Sequence, residues 1–227
     1  MDLTCVDAAI EELSLLKHPF YQAWTAGRLT QDDLRAYALE YYHLEKNFPR
    51  LVSRVHSGCH DVETRRALVA NLADEETGPE NHRELWLRFA EGLGLSREDV
   101  VSSEPSPKTR AAFETLLALC SGDTAEGLAA LYAYESQLPK VSESKIAGLK
   151  GFYGVTDARA LGFFEVHKTA DVWHSESERR ALAAAGGDER RVKAASQAAC
   201  AALLSFLDGV DRDTRLKREG AEACAAC

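Results

Sequence analysis

Apolar residues recur along this chain at intervals of three and four, and β-branched residues are sparse, so the pattern predicts an all-α protein built of successive helices. A first helix is expected over 4–16. A short one over 18–24 opens with Pro19 in its first turn and stops at Gly27. Thr30 caps the third, where Thr30-Gln31-Asp32-Asp33 resembles a capping box with Asp in place of Glu. Its stripe of Leu34, Tyr37, Ala38, Tyr41, Tyr42 and Leu44 reaches Phe48-Pro49 and continues or kinks toward His56. Helices follow over 62–77 and 80–91, separated by Gly78-Pro79, and over 107–119 behind a loop at 103–107. A helix rich in small residues covers 124–138, and Pro139 breaks or kinks it before Lys145 and Gly151. The last two span 157–185 and 189–207. From Arg212 to Cys227 the chain turns polar and Ala-rich, which predicts a disordered tail behind a single domain over 1–211.

One run stands out, His167-Lys168-Thr169-Ala170-Asp171-Val172-Trp173-His174. At about 100° per residue on one continuous helix, His167, Asp171 and His174 fall within roughly 60° of arc. Phe163, Phe164, Val166, Val172 and Trp173 surround them, so the same face is expected to be buried, where an unpaired Asp or His is costly. A core His bonded to an Asp one turn away would account for a single pair. Three such groups on one stripe favour a metal.

Further donors of the same kind lie upstream. Glu75 and His82 are nominally two turns apart, although Gly78-Pro79 must distort the helix for both to aim inward. Glu135 sits among Leu, Ala and Tyr, where a buried carboxylate needs a cation. Glu75, His82, Glu135, His167, Asp171 and His174 suffice for two metal ions with a bridging carboxylate and open positions. Singly each is ordinary: Glu75 in Asp74-Glu75-Glu76 reads as part of a solvated face, and His82 beside Asn81 as a surface residue. His56-Ser57-Gly58-Cys59-His60 also carries ligand types, but no further donor accompanies it.

Composition narrows the functions. The net charge of −9 has no basic stripe for a phosphate backbone and no polybasic patch for a membrane, which argues against nucleic acid and anionic lipid as partners. The start of the chain lacks the pattern of a signal peptide, and no segment approaches ~18 uninterrupted apolar residues, so a soluble, cytoplasmic protein is expected. The 6 scattered cysteines suit a reducing compartment. Cys224 and Cys227 form a terminal dithiol that could deliver electrons or metal, but an unstructured tail is the favoured reading and the pair is left out of the site.

The ferritin-type di-iron pattern needs two Glu-x-x-His pairs, and the six residues contain none. They follow Glu-x6-His, a lone Glu, then His-x3-Asp-x2-His. In this the sequence resembles the haem-oxygenase-like di-metal oxidases, and closely the group of self-sacrificing 4-aminobenzoate synthases that includes the chlamydial protein associating with death domains. The resemblance covers nearly the whole chain, from His18-Pro19-Phe20-Tyr21 through Leu29-Thr30, Ala36-Tyr37-Ala38, Glu40-Tyr41-Tyr42 and Tyr132-Ala133-Tyr134-Glu135-Ser136-Gln137 to the run at 167–174.

That resemblance implies a haem-oxygenase-like helical bundle and a di-metal centre, Fe/Fe or Mn/Fe, using O2 and an external reductant. It implies that one tyrosine of the chain becomes the ring and carboxyl of 4-aminobenzoate, a folate precursor, and that one lysine supplies the amine. The matching residues are Tyr21 and Lys145, with Tyr37 and Tyr134 in support. By their own neighbours alone, Tyr21 reads as a core aromatic and Lys145 as a surface lysine snorkelling over apolar residues. Two other functions stay open: a di-metal oxygenase acting on an external amine or fatty acid, and a protein-interaction module. The electron donor is unidentified, and a homodimer is open.

Overall fold

The protein, described here as a computed structural model, is resolved into thirteen helices over residues 1–225, with side chains described through Asp211. No strand occurs among the described residues. The helices are α1 (Thr4–Glu12), α2 (Pro19–Thr25), α3 (Gln31–Glu45), α4 (Phe48–Gly58), α5 (Val62–Glu76), α6 (His82–Gly92), α7 (Arg97–Ser102), α8 (Pro107–Cys120), α9 (Thr124–Glu135), α10 (Leu138–Gly151), α11 (Ala158–His167), α12 (Ala170–Ala185) and α13 (Glu189–Ala225). The tail expected over 212–227, with Cys224 and Cys227, lies outside the residues whose side chains are described.

Local chemistry sets the boundaries. Thr30 Oγ1 accepts from the Asp33 amide and the Asp33 carboxylate accepts from the Thr30 amide, a complete capping box at the start of α3. Pro19, Pro49, Pro107 and Pro139 all sit in the first turn of a helix, where the missing N–H has no partner to lose. Hence the helix expected over 124–138 ends at Glu135, and Pro139 starts the next one. Two other expectations change. The first helix stops at Glu12, and Leu15–Lys17 form a separate 3₁₀ turn. The short α7, capped by Ser96 onto the Asp99 amide, was not anticipated.

The largest departure is at 168–169. The stretch expected as one helix over 157–185 is two, because the Thr169 amide and hydroxyl both turn back to the Val166 carbonyl, each at 3.0 Å. The single-stripe geometry for 167, 171 and 174 therefore does not apply. Val166, Val172 and Trp173, expected to be buried, are 36%, 45% and 46% exposed.

Helix α13 packs along α9, α8, α1 and α3, while α12 lies against α9 and α5, and α11 against α6 and α10. Trp86, fully buried, donates its indole N–H to the Ala38 carbonyl at 2.9 Å and meets Phe163 at 4.7 Å between ring centres, which ties α3, α6 and α11 together. At Gly148 the Trp24 ring comes so close that a Cβ would sit 2.6 Å from it, so α2 and α10 can meet only over a glycine.

Candidate metal centre

Six helix ends converge on one buried volume. Glu45 closes α3, Glu75 is next to last in α5, His82 opens α6, Glu135 closes α9, His167 closes α11, and Asp171 and His174 lie in the opening turns of α12. None of these seven residues is more than 4% exposed. Ligand atoms of Glu45, His82 and His167 lie within 4.8 Å of one another, and those of Glu75, Glu135 and His174 do likewise. Asp171 joins neither triplet; its Oδ1 lies 3.6 Å from His174 Nδ1. The structure thus brings all six sequence-identified residues together and adds Glu45. The candidate run at 56–60 yields no comparable cluster among the described residues.

The arrangement is electrostatically unfavourable without a cation. Glu45, Glu75 and Glu135 sit at helix C-termini, where the backbone carries partial negative charge. Burial, and then the neighbouring carboxylates, push Glu45 and Glu75 well above the ordinary carboxyl range. Burial also raises Asp171 to about 7 and, with His82 beside it, drives His167 well below its ordinary value. Burial opposes charge on His174 too, but Asp171 and Glu135 outweigh it and lift the imidazole to about 11.

Several buried polar atoms have no hydrogen-bond partner: Glu45 Oε1, His82 Nδ1, both oxygens of Asp171 and His174 Nδ1. His82 Nδ1 approaches Glu75 Oε1 to 2.8 Å, and His174 Nδ1 approaches Glu135 Oε1 to 3.3 Å, yet neither pair has hydrogen-bond geometry. Unpaired acceptors crowded in this way fit shared cations. The remaining bonds orient the donors. His167 Nδ1 bonds the Phe163 carbonyl at 2.6 Å, leaving Nε2 free to ligate. His174 Nε2 meets Asp74 Oδ2 at 3.1 Å, leaving Nδ1 for the centre. Asn71 donates to both oxygens of Glu135, at 3.0 and 3.2 Å.

Sequence reasoning missed Glu45 and Glu178. Glu45 follows Tyr37 and Tyr41 at four-residue steps on one face of α3, a signal that the named stripe omitted by ending at Leu44. Glu178, one turn past His174, is 3% exposed; burial and the adjoining Glu135 push its carboxyl well above the usual range.

A second polar cluster consists of aromatic hydroxyls and one amine. Lys145 is 2% exposed, so it is no surface lysine. Its Nζ donates a short hydrogen bond to the Tyr37 hydroxyl, which lies 3.2 Å from the Tyr21 hydroxyl. The amine is within 6 Å of the ring centres of Tyr21, Tyr37, Tyr41, Trp86 and Phe164, and burial lowers it to about 7. Tyr134 donates to the Tyr41 hydroxyl at 3.1 Å. The Tyr41 ring is 5.6 Å from that of Tyr37, and burial, then Tyr134 and the Glu45 carboxylate, push its hydroxyl well above the ordinary phenol range.

A helical bundle with two buried carboxylate and imidazole triplets beside a phenol and amine cluster defines an oxidoreductase of the haem-oxygenase-like class. The chain belongs to the iron-containing redox enzyme family of that class, whose model matches residues 35–206. It is 41% identical to a 4-aminobenzoate synthase of Chlamydia muridarum over 205 residues, 89% of this chain and 87% of that one. It is 38% identical to a 4-aminobenzoate synthase of Nitrosomonas europaea over 218 residues, 90% of this chain and 89% of that one. A Shewanella denitrificans domain with a heme oxygenase-like fold superposes with a TM-score of 0.78 at 22% identity, covering 97% and 96% of the two chains, a likeness of fold alone. No helix among the described residues is long and apolar enough to cross a membrane.

Proposed function

We propose that the chain is an O2-dependent 4-aminobenzoate synthase that takes the ring and carboxyl carbon from its own Tyr21 and the amine from its own Lys145, using two transition-metal ions, Fe/Fe or Mn/Fe, and an external reductant. The observation that carries this is the buried contact sequence from Lys145 Nζ to the Tyr37 hydroxyl and on to the Tyr21 hydroxyl. The names of two relatives, both 4-aminobenzoate synthases, support the product alone. When bound, such ions supply O2 activation and the withdrawal of electrons from a phenol.

The chain's own residues do the rest. Burial keeps the Lys145 amine near 7, so a large share of it carries a free lone pair at neutral pH. Tyr37 accepts from Lys145 and shares a hydrogen bond with the Tyr21 hydroxyl, holding both reacting groups in register. Burial keeps the Tyr21 phenol protonated far beyond the ordinary phenol range. The void lined by Tyr21, Tyr41, Tyr134, Leu138, Leu203 and Phe206 is about 10 Å³, too small for an added aromatic or fatty acid, which favours a substrate built into the chain.

The test is stoichiometric. Reduced, metal-loaded protein carrying isotopically labelled tyrosine should yield labelled product, at most one molecule per chain, with peptides containing Tyr21 and Lys145 altered in mass. Many turnovers with both peptides intact would overturn self-sacrifice in favour of an external substrate.

A further inference from the structure

The metal ligands are closed to solvent on most sides; a void of about 10 Å³ lies beside His174, and a much larger cleft reaches Glu45 and Glu75. It has a volume of about 210 Å³, and Glu45 and Glu75 line it together with Lys46, Pro49, Glu76, Asn81 and Arg83. Glu45 belongs to one ligand triplet and Glu75 to the other, so the cleft is lined by one member of each. The opening exists because the chain is not helical between Glu76 and His82, where Gly78 adopts a φ of 78°. At ~30 Å³ per water, the volume accommodates roughly seven waters, which suits a small molecule rather than a peptide.

The charges around it have a sign. Four carboxylates, Glu45, Glu75, Glu135 and Asp171, would balance two divalent ions, leaving the rim to decide what enters. Besides the two ligands, the cleft's charged lining residues are Lys46, Arg83 and one carboxylate, Glu76; Glu104, outside the lining, acts on Lys46 and is answered by Arg110 at 3.9 Å. We propose that this cleft is the entry port of the metal centre and that Lys46 and Arg83 make it a binding site for small anions. The inference rests on the metal-centre reading above.

Azide serves as an anionic probe of the oxidised iron-loaded protein, read by its charge-transfer absorption. Nitric oxide serves as a neutral probe of the reduced protein, read by absorption or electron paramagnetic resonance. The double variant K46E/R83E should bind azide at least ~10-fold more slowly than the parent, with nitric oxide unchanged. Glu76→Trp narrows the rim and should slow nitric oxide, the probe indifferent to the carboxylate charge that this variant also removes. Full metal content with unaltered azide kinetics in K46E/R83E would overturn anion selection, and unaltered nitric oxide kinetics in Glu76→Trp would overturn the port. If no metal binds at all, the metal-centre reading falls and this inference with it.

Discussion

Asp74 holds the Nε2 face of His174 at 3.1 Å from the outer side of the bundle, and His174 thereby presents Nδ1 to Glu135 and Asp171. A carboxylate behind a ligating imidazole fixes its tautomer and its aim. Asp74→Ala should therefore weaken metal binding by roughly 10- to 100-fold while leaving the number of ions per chain unchanged, as measured by competition titration against a chelator. Unchanged affinity would remove His174 Nδ1 from the ligand set.

Glu45 has opposite effects on the metal-free and metal-loaded protein. With its carboxyl raised by burial and by Glu75, the metal-free fold retains a proton that the unfolded chain loses above its ordinary carboxyl pKa. Folding stability is then lost as pH rises from that ordinary value toward the raised one. Glu45→Gln should raise the melting temperature of metal-free protein at pH 7 to 8 and flatten its pH dependence. The same substitution removes a charged ligand, so the stabilisation gained on adding Fe(II) or Co(II) should shrink. Scanning calorimetry with and without metal checks both signs, and a variant that gains as much from metal as the parent would show that Glu45 is no ligand.

How much of this was visible in the sequence depends on which contacts are local. The capping box at Thr30, the first-turn prolines and the helix periods follow from neighbours within a few positions, and the structure keeps them. The ligand residues were recognisable as a donor set, and by resemblance, but the geometry first assigned to three of them required one continuous helix through Thr169, where the amide and hydroxyl both bond back to the Val166 carbonyl and end it. Glu45 and Lys145 illustrate the limit. Each sits in an unremarkable polar context along the chain, and each is buried only because distant helices close over it: Trp24, Tyr37 and Trp86 around Lys145, and His82 and His167 around Glu45.

Gly148 should be as sensitive as a core position although it contributes no side chain. An added Cβ would meet the Trp24 ring at 2.6 Å, and that indole also donates to the Lys145 carbonyl at 3.3 Å. Overpacking of this kind costs about 1–3 kcal/mol. Gly148→Ala should lower stability to urea by that order and shift Lys145 relative to Tyr37, whereas Gly151→Ala, with open space around it, should stay within about 0.5 kcal/mol of the parent.

Lys145 gives the molecule a pH signature on the alkaline side. Its folded value, about 7, lies below the ordinary lysine value of 10.5, so between those limits the unfolded chain binds a proton that the folded chain has released. Stability must therefore rise with pH across that window; below about 7 both states carry the charge and the full cost of burying it is present, and above 10.5 neither does. Lys145→Met, similar in volume and uncharged, should be more stable than the parent at pH 6 by an amount on the order of a few kcal/mol, with the difference shrinking toward pH 10. Denaturant titrations of the metal-free proteins at several pH values measure it without recourse to activity. In the parent, formation of labelled 4-aminobenzoate in a single turnover should rise with pH through about 7 as the amine loses its proton. A pH-independent stability difference would mean that Lys145 is charged in the folded state at neutral pH, and the neutral-amine role would have to be abandoned.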